Sequence, residues 1–162
     1  MEFFYSSVTG GIHSGSAIVA LVAGALVFRN TKGTQRHKTT GYVYVVSMLT
    51  LNLTAVFLQN LFGGFGWFHL FILMSLPNLL VGMYFPLFAR RNPKWQVYHF
   101  EFMSWSYVGL LAGFVAEVIV RVPLAMNIDL VWQLVAAVFG LAALGSLVGY
   151  KAIAAFRIRR FG

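Results

Sequence analysis

Four histidines are the residues of this chain best suited to chemistry, because imidazole can bind metals and exchange protons near neutral pH. They are His13, His37, His69 and His99. The chain contains no cysteine, which excludes disulfides, thiolate metal sites and cysteine nucleophiles. The GxGxxG, P-loop, HExxH and GxSxG motifs of common soluble enzymes are also absent from the sequence. The histidines are therefore the first candidates for a functional site.

The composition of the chain indicates the environment in which these histidines work. Hydrophobic residues make up 59% of the 162 residues, and charged residues make up only 10%. Soluble domains carry about 25% charged residues, so this chain has too little polar surface to cover a water-soluble globule. The composition predicts an integral membrane protein.

Five apolar stretches approach or exceed the roughly 20 residues that a helix needs to cross a bilayer core. They cover residues 8–28, 39–61, 65–88, 97–120 and 130–150. They predict an all-α fold in which residues 1–162 form a single transmembrane bundle of five helices. The first four helices suggest a parallel repeat, because each half reads as helix, basic loop and helix, with one histidine near the start of each helix.

Basic residues indicate the side of the membrane on which each loop lies. In a five-helix topology, Arg121 falls on one side and the other Lys and Arg residues fall on the opposite side. The latter are Arg29, Lys32, Arg36, Lys38, Arg90, Arg91, Lys94, Lys151, Arg157, Arg159 and Arg160. This predicts a multi-pass protein of the bacterial inner membrane, with its N-terminus outside and its C-terminus in the cytoplasm. Topology and anionic lipid headgroups then account for the net charge of +8 without a nucleic-acid partner.

The predicted topology sorts the four histidines into two pairs, one near each membrane face. His13 and His69 fall on the outer side, and His37 and His99 fall on the cytoplasmic side. Two imidazoles from different helices are the axial ligands that a six-coordinate b-type haem requires. Two such sites stacked across a bilayer would form a route for electrons. The leading hypothesis is therefore a transmembrane haem b protein in electron transport.

Basic side chains near each histidine pair could bind the haem propionates. On the cytoplasmic side the candidates are Arg36, Lys38, Arg90 and Arg91. On the outer side the candidate is Arg121.

A copper or zinc site is the first alternative, since neutral imidazole binds either metal. The four histidines would again supply ligands, with Met103 and Glu101 as possible additions. Met103 follows His99 by four residues and so lies on the same helix face. Glu101 could act as the base of a zinc-dependent membrane hydrolase. Metal handling and oxidase assembly are further roles for such a site.

A structural or accessory subunit without a cofactor is the second alternative. Each histidine would then hydrogen-bond lipid headgroups at the membrane interface. Glu117 and Arg121 lie four residues apart and would form an ion pair, although they could also form a substrate or proton site. Small residues such as Gly109 and Gly113 would suit close helix packing in a homodimer or a larger membrane complex.

One segment resembles a known family. Residues 32–44 read KGTQRHKTTGYVY and fit the pattern KGTxxHxxxGxxY, which resembles a predicted bacterial membrane protein family of unknown function. The likeness covers about residues 12–121 and includes His13, His37, His99, Met103, Ser106, Tyr107 and Arg121. The family usually has Arg where this chain has Lys38. The resemblance implies packed membrane helices with the histidines as one set. The placement of the pairs is also similar to transmembrane di-haem cytochromes b, in architecture alone.

Overall fold

The computed structural model of the protein describes residues 8–58, 69–125 and 131–161. Within these residues the chain forms five helices, which are α1 (Val8–Arg29), α2 (Gln35–Phe57), α3 (Leu70–Phe88), α4 (Trp95–Ala125) and α5 (Val131–Phe161). Each helix is long and apolar enough to cross a membrane. The prediction of an all-α membrane protein with five spanning helices is confirmed.

The helix bounds differ from the predicted spans at their polar ends. The second helix begins at Gln35 rather than at residue 39, because the Thr34 side chain accepts a hydrogen bond from the His37 backbone N–H at 3.3 Å and caps the helix. The fifth continues to Phe161 rather than ending at residue 150. An apolar count stops at Lys151, yet Lys, Ala and Arg all favour helix. Residues 59–61 and 65–68 of the predicted spans lie outside the described residues.

A tight connection joins α1 to α2. Gly33 has a φ of 81°, a conformation that residues with a side chain rarely adopt. The amine of Lys32 donates to the carbonyl oxygens of Val27 at 2.6 Å and Phe28 at 3.1 Å. The last carbonyls of a helix have no partner within it. Lys32 therefore supplies hydrogen-bond donors to carbonyl oxygens at the end of α1, and Gly33 allows the chain to turn towards α2.

The chain divides into two compact units, Met1–Leu76 and Pro77–Gly162, and each is described by itself. In the first unit, α1 packs along α2. The residues that these two helices bury are Ala20, Ala23, Gly24, Tyr44, Met48 and Asn52. In the second unit, α4 packs along α5. The prediction of a single transmembrane domain stays a prediction.

Large apolar side chains cover the outer faces of the helices. Phe88 is 77% exposed, Leu73 68% and Val148 67%. Exposed apolar surface on this scale marks a membrane or partner interface rather than a surface in water. α3 also contains Pro77 and Pro86 inside the helix, a feature that spanning helices tolerate.

Candidate functional site

His13 lies in α1 and is held by the neighbouring helix α2. Its Nδ1 atom is 3.0 Å from the Thr54 Oγ1 atom. The Thr54 hydroxyl itself donates to backbone carbonyls one turn earlier, at 2.8 Å to Thr50 and 3.0 Å to Leu51. A hydroxyl has one proton, and when Thr54 gives it to one of these carbonyl oxygens, its Oγ1 atom accepts from His13, whose Nδ1 then carries the hydrogen. The lone pair of the neutral ring is then on Nε2.

His99 lies in α4 and is held in the same way by α3. Its Nδ1 atom is 2.7 Å from the backbone carbonyl oxygen of Gly82. A carbonyl oxygen only accepts hydrogen bonds, so Nδ1 again carries the hydrogen. The lone pair of the neutral imidazole is again on Nε2. Two of the four histidines therefore share one tautomer, and in both cases an oxygen of another helix fixes it.

A glycine permits this contact at His99. A Cβ atom built on Gly82 would lie 2.8 Å from the sulfur of Met103 and 3.1 Å from its backbone nitrogen. His99 and Met103 are four residues apart on α4, so both face α3. The rings of Phe85 in α3 and Tyr98 in α4 also stack, with their centroids 4.9 Å apart. The close approach of α3 to α4 brings the carbonyl oxygen within reach of the imidazole.

His69 immediately precedes α3 and is only 6% exposed, and its Nε2 atom is shielded from solvent. Polar groups hold the start of α3 against α2, because the Ser75 hydroxyl donates to the side-chain oxygen of Asn52 at 2.7 Å. Asn52 is itself 4% exposed and donates to the Met48 carbonyl oxygen at 2.7 Å. The first unit thus contains His13, His69 and several buried polar groups in otherwise apolar helices.

His37 lies in the first turn of α2, where the Thr34 cap binds its backbone N–H. Its Nδ1 atom is shielded from solvent. The flanking Arg36 and Lys38 side chains, predicted to bind propionates, are exposed. His37 belongs to the first unit and His99 to the second, so their pairing stays a prediction.

The other predicted site residues have varied surroundings. Glu101 forms an ion pair with Arg157 of α5, with 2.6 Å between Oε1 and Nη1. Met103 packs against Gly82. Arg121 lies in α4, but its side chain is outside the described residues. In the part of the chain that the structure describes, no three His, Asp or Glu side chains converge on a metal position. The roles predicted for these residues stay predictions.

Sequence reasoning did not identify the oxygens that hold the histidines. Thr54 is one of several hydroxyl residues in α2, and Gly82 contributes only its backbone. A polar residue near the end of an apolar helix opposite a histidine could have indicated Thr54. Every residue has a backbone carbonyl oxygen, so the sequence does not single out that of Gly82. Only the packing of α3 on α4 identifies it.

The predicted membrane protein family DUF2306 matches residues 10–158 of this chain. The match covers nearly the whole sequence, and the chain belongs to this family. The expectation of membership in a membrane protein family of unknown function is confirmed. No curated protein and no solved structure matches the chain.

Proposed function

We propose that this member of the DUF2306 family binds haem b through its histidines and carries electrons across the bilayer. One observation carries the proposal, which is the shared tautomer of His13 and His99. Each ring donates through Nδ1 to an oxygen of a neighbouring helix. Histidines that bind metals almost always donate their other ring N–H in this way, because the bond fixes both the tautomer and the orientation of the ring.

In the first unit, His13 and His69 are the residues proposed to hold the haem. The Thr54 contact suits a His13 ring that carries its proton on Nδ1, so that Nε2 would be the atom that holds the haem iron. His69 is buried, so its ring is withdrawn from water. Haem b, when bound, supplies reversible one-electron chemistry. The protein would supply the His13 ring with its proton on Nδ1 and the buried His69 ring.

In the second unit, His99 is the residue proposed as a ligand. His37, its partner in the sequence prediction, belongs to the first unit. The Gly82 carbonyl oxygen gives His99 the tautomer that Thr54 gives His13. Arg36 and Lys38 flank His37 at the start of α2, and their exposed cationic groups suit carboxylates such as propionates.

The ligand count favours haem over zinc. A zinc site takes at least three protein ligands, and the described residues contain no convergent group of three His, Asp or Glu side chains. Glu101, the carboxylate nearest to His99 in the sequence, is bonded to Arg157. A six-coordinate haem requires only two imidazoles, which is the number of histidines in each predicted pair.

The experiment compares the haem content of the wild-type protein with that of single histidine variants. Each protein is expressed with ample haem, purified in detergent, and assayed for haem per chain by the pyridine haemochrome method. We expect His13→Ala and His69→Ala to lose the same haem and to retain the other. Loss of all haem in His13→Ala, with unchanged helicity by circular dichroism, would contradict independent sites. Wild-type protein without haem would overturn the proposal.

A further inference from the structure

A lysine lies among apolar residues on the outer face of α5. Lys151 is exposed, and four large apolar residues at spacings of three, four and seven residues along the helix are also exposed. These are Leu144 at 60%, Leu147 at 61%, Val148 at 67% and Ile158 at 66%. Residues at this spacing share one side of a helix. We call the side formed by Leu144, Leu147, Val148, Lys151 and Ile158 the Lys151 face.

The Lys151 face points away from α4. The residues of α5 that contact α4 include Gly149, Phe156 and Arg157. Gly149 and Phe156 are seven residues apart, so they lie on the same side of α5. Lys151 is two residues from Gly149, which is about half a turn around the helix. Within the second unit, the amine of Lys151 therefore projects from the side opposite to the packed helix.

Contacts between α4 and α5 show which residue of α4 lies beside Lys151. The rings of Phe100 and Phe156 stack with centroids 5.3 Å apart. A Cβ atom built on Gly149 would lie 2.9 Å from a methyl carbon of Val108. The two helices are thus antiparallel, and residue numbers that rise along α5 fall along α4. In this register Lys151 is level with Ser106.

The length of α3 and its register with α4 indicate how deep Lys151 lies in the membrane. α3 has 19 residues and a length of about 28 Å, close to the thickness of a hydrocarbon core of about 30 Å. The stacking of Phe85 on Tyr98 places the end of α3, Phe88, level with Trp95 at the start of α4. Ser106 lies about 16 Å further along α4. On this placement of α3, Lys151 lies near the middle of the hydrocarbon core, deeper than the predicted fifth span of residues 130–150 would place it.

We infer that the Lys151 face is an intramembrane docking site for a transmembrane helix of another protein, one that carries an Asp or Glu at matching depth. A charged side chain at this depth is costly when it faces lipid, and such residues in membranes pair with opposite charges. The four-carbon stem of lysine is shorter than the distance to either headgroup layer. A carboxylate on a partner helix would neutralise the amine, and the apolar neighbours would pack around the pair.

A second copy of this chain fits the site less well. Copies related by a two-fold axis along the membrane normal place identical residues at identical depths, so a partner copy would present Lys151 itself. The acidic residue of the second unit nearest to this level is Glu101, about five residues away along α4, and it is already bonded to Arg157. Charge complementarity therefore favours a different protein.

The first test uses a synthetic transmembrane peptide of about 20 Leu and Ala residues with a single central Glu. A matched peptide has Gln at that position. The full-length protein carries a donor dye at a cysteine introduced by Lys94→Cys, and the peptide carries the acceptor in phosphatidylcholine vesicles. We expect the Glu peptide to bind, and Lys151→Met to weaken its binding by about tenfold. Equal binding of both peptides, or equal binding to the Lys151→Met variant, would overturn the inference.

A second measurement tests the depth of residue 151 and the identity of the occupant. The chain has no native cysteine, so Lys151→Cys and Lys94→Cys each introduce a single thiol. We expect a water-soluble maleimide to label residue 94 rapidly and residue 151 much more slowly. Equal labelling rates would place residue 151 in water and overturn the inference. Energy transfer between copies without peptide, abolished by Lys151→Met, would identify a second copy as the occupant and overturn the assignment to a different protein.

Discussion

The two units hold their histidines with different kinds of oxygen. In the first unit a side-chain hydroxyl, that of Thr54, accepts the hydrogen bond of His13. In the second unit a backbone carbonyl, that of Gly82, accepts the hydrogen bond of His99. The contact of His13 thus depends on the side chain at position 54. The contact of His99 depends on the close approach of α3 to α4. The two contacts should respond to different mutations.

The largest effect is expected at Gly82. In Gly82→Ala the added methyl group would meet both the side chain and the backbone of Met103. The flexible sulfur can move, but the backbone nitrogen at 3.1 Å cannot move without separating α3 from α4. We expect a loss of about 1–3 kcal/mol of stability, the usual effect of overpacking, together with a longer hydrogen bond to His99. Thermal unfolding in detergent measures the first effect.

Gly145→Ala is the matched control for this prediction. A Cβ atom at Gly145 would meet nothing within 4 Å, and Ala favours helix over Gly by about 1 kcal/mol. We therefore expect unchanged or slightly raised stability. Equal destabilisation by the two variants would contradict the importance of the close approach at Gly82.

The next largest effect is expected at Thr54. Thr54→Val keeps the shape of the side chain but removes the acceptor for the His13 Nδ1–H group. His13 and Thr54 are partly buried, and leaving a buried donor without its acceptor costs about 1–3 kcal/mol, so we expect a loss towards the lower end of this range. The freed ring can also adopt the other tautomer. We expect lower stability and, on the proposed function, a lower haem content of the first unit. The haem-to-protein ratio checks this.

Two further variants give this experiment its controls. Thr54→Ser keeps the hydroxyl and should preserve the haem content. Thr50→Val removes a hydroxyl of the same helix that donates to the Val46 carbonyl oxygen. If Thr50→Val reduced haem content as strongly as Thr54→Val, the specific role of Thr54 would be wrong.

A smaller effect is expected from the bond between Asn52 and Ser75, which also belongs to the first unit. Both residues are buried, but hydrogen bonds between membrane helices contribute only about 0.6 kcal/mol on average. A double-mutant cycle with Asn52→Ala and Ser75→Ala should give a coupling of about that size. A coupling of zero would indicate that this hydrogen bond does not hold the two helices together.

The smallest effect is expected at Lys32, whose amine binds two carbonyl oxygens near the end of α1. A cation at a helix C-terminus contributes about 0.3–1 kcal/mol. Lys32→Met should lower the stability by no more than this and leave the haem content unchanged. A large loss of haem in this variant would show that the basic loop, and not the helix interior, binds the cofactor.

The fold was predictable from the sequence because hydropathy is a property of single residues. Apolar stretches of sufficient length identified all five helices, and the Thr34 cap and the helical propensity of the residues after Lys151 explain where the bounds differ. The histidine contacts were less predictable. Thr54 was one of several candidates in its helix, and the Gly82 carbonyl oxygen has no signature in the sequence. Such contacts depend on helix register, which apolar periodicity alone does not determine.

The proposal of haem ligation is tested most directly by an absorption spectrum of the detergent-purified protein, recorded in the oxidised state and again after reduction with dithionite. Haem ligation by two imidazoles predicts a sharp Soret band and, after reduction, the α and β bands of a six-coordinate b-type haem. A featureless spectrum from protein expressed with ample haem would contradict the assignment of His13, His69 and His99 as haem ligands.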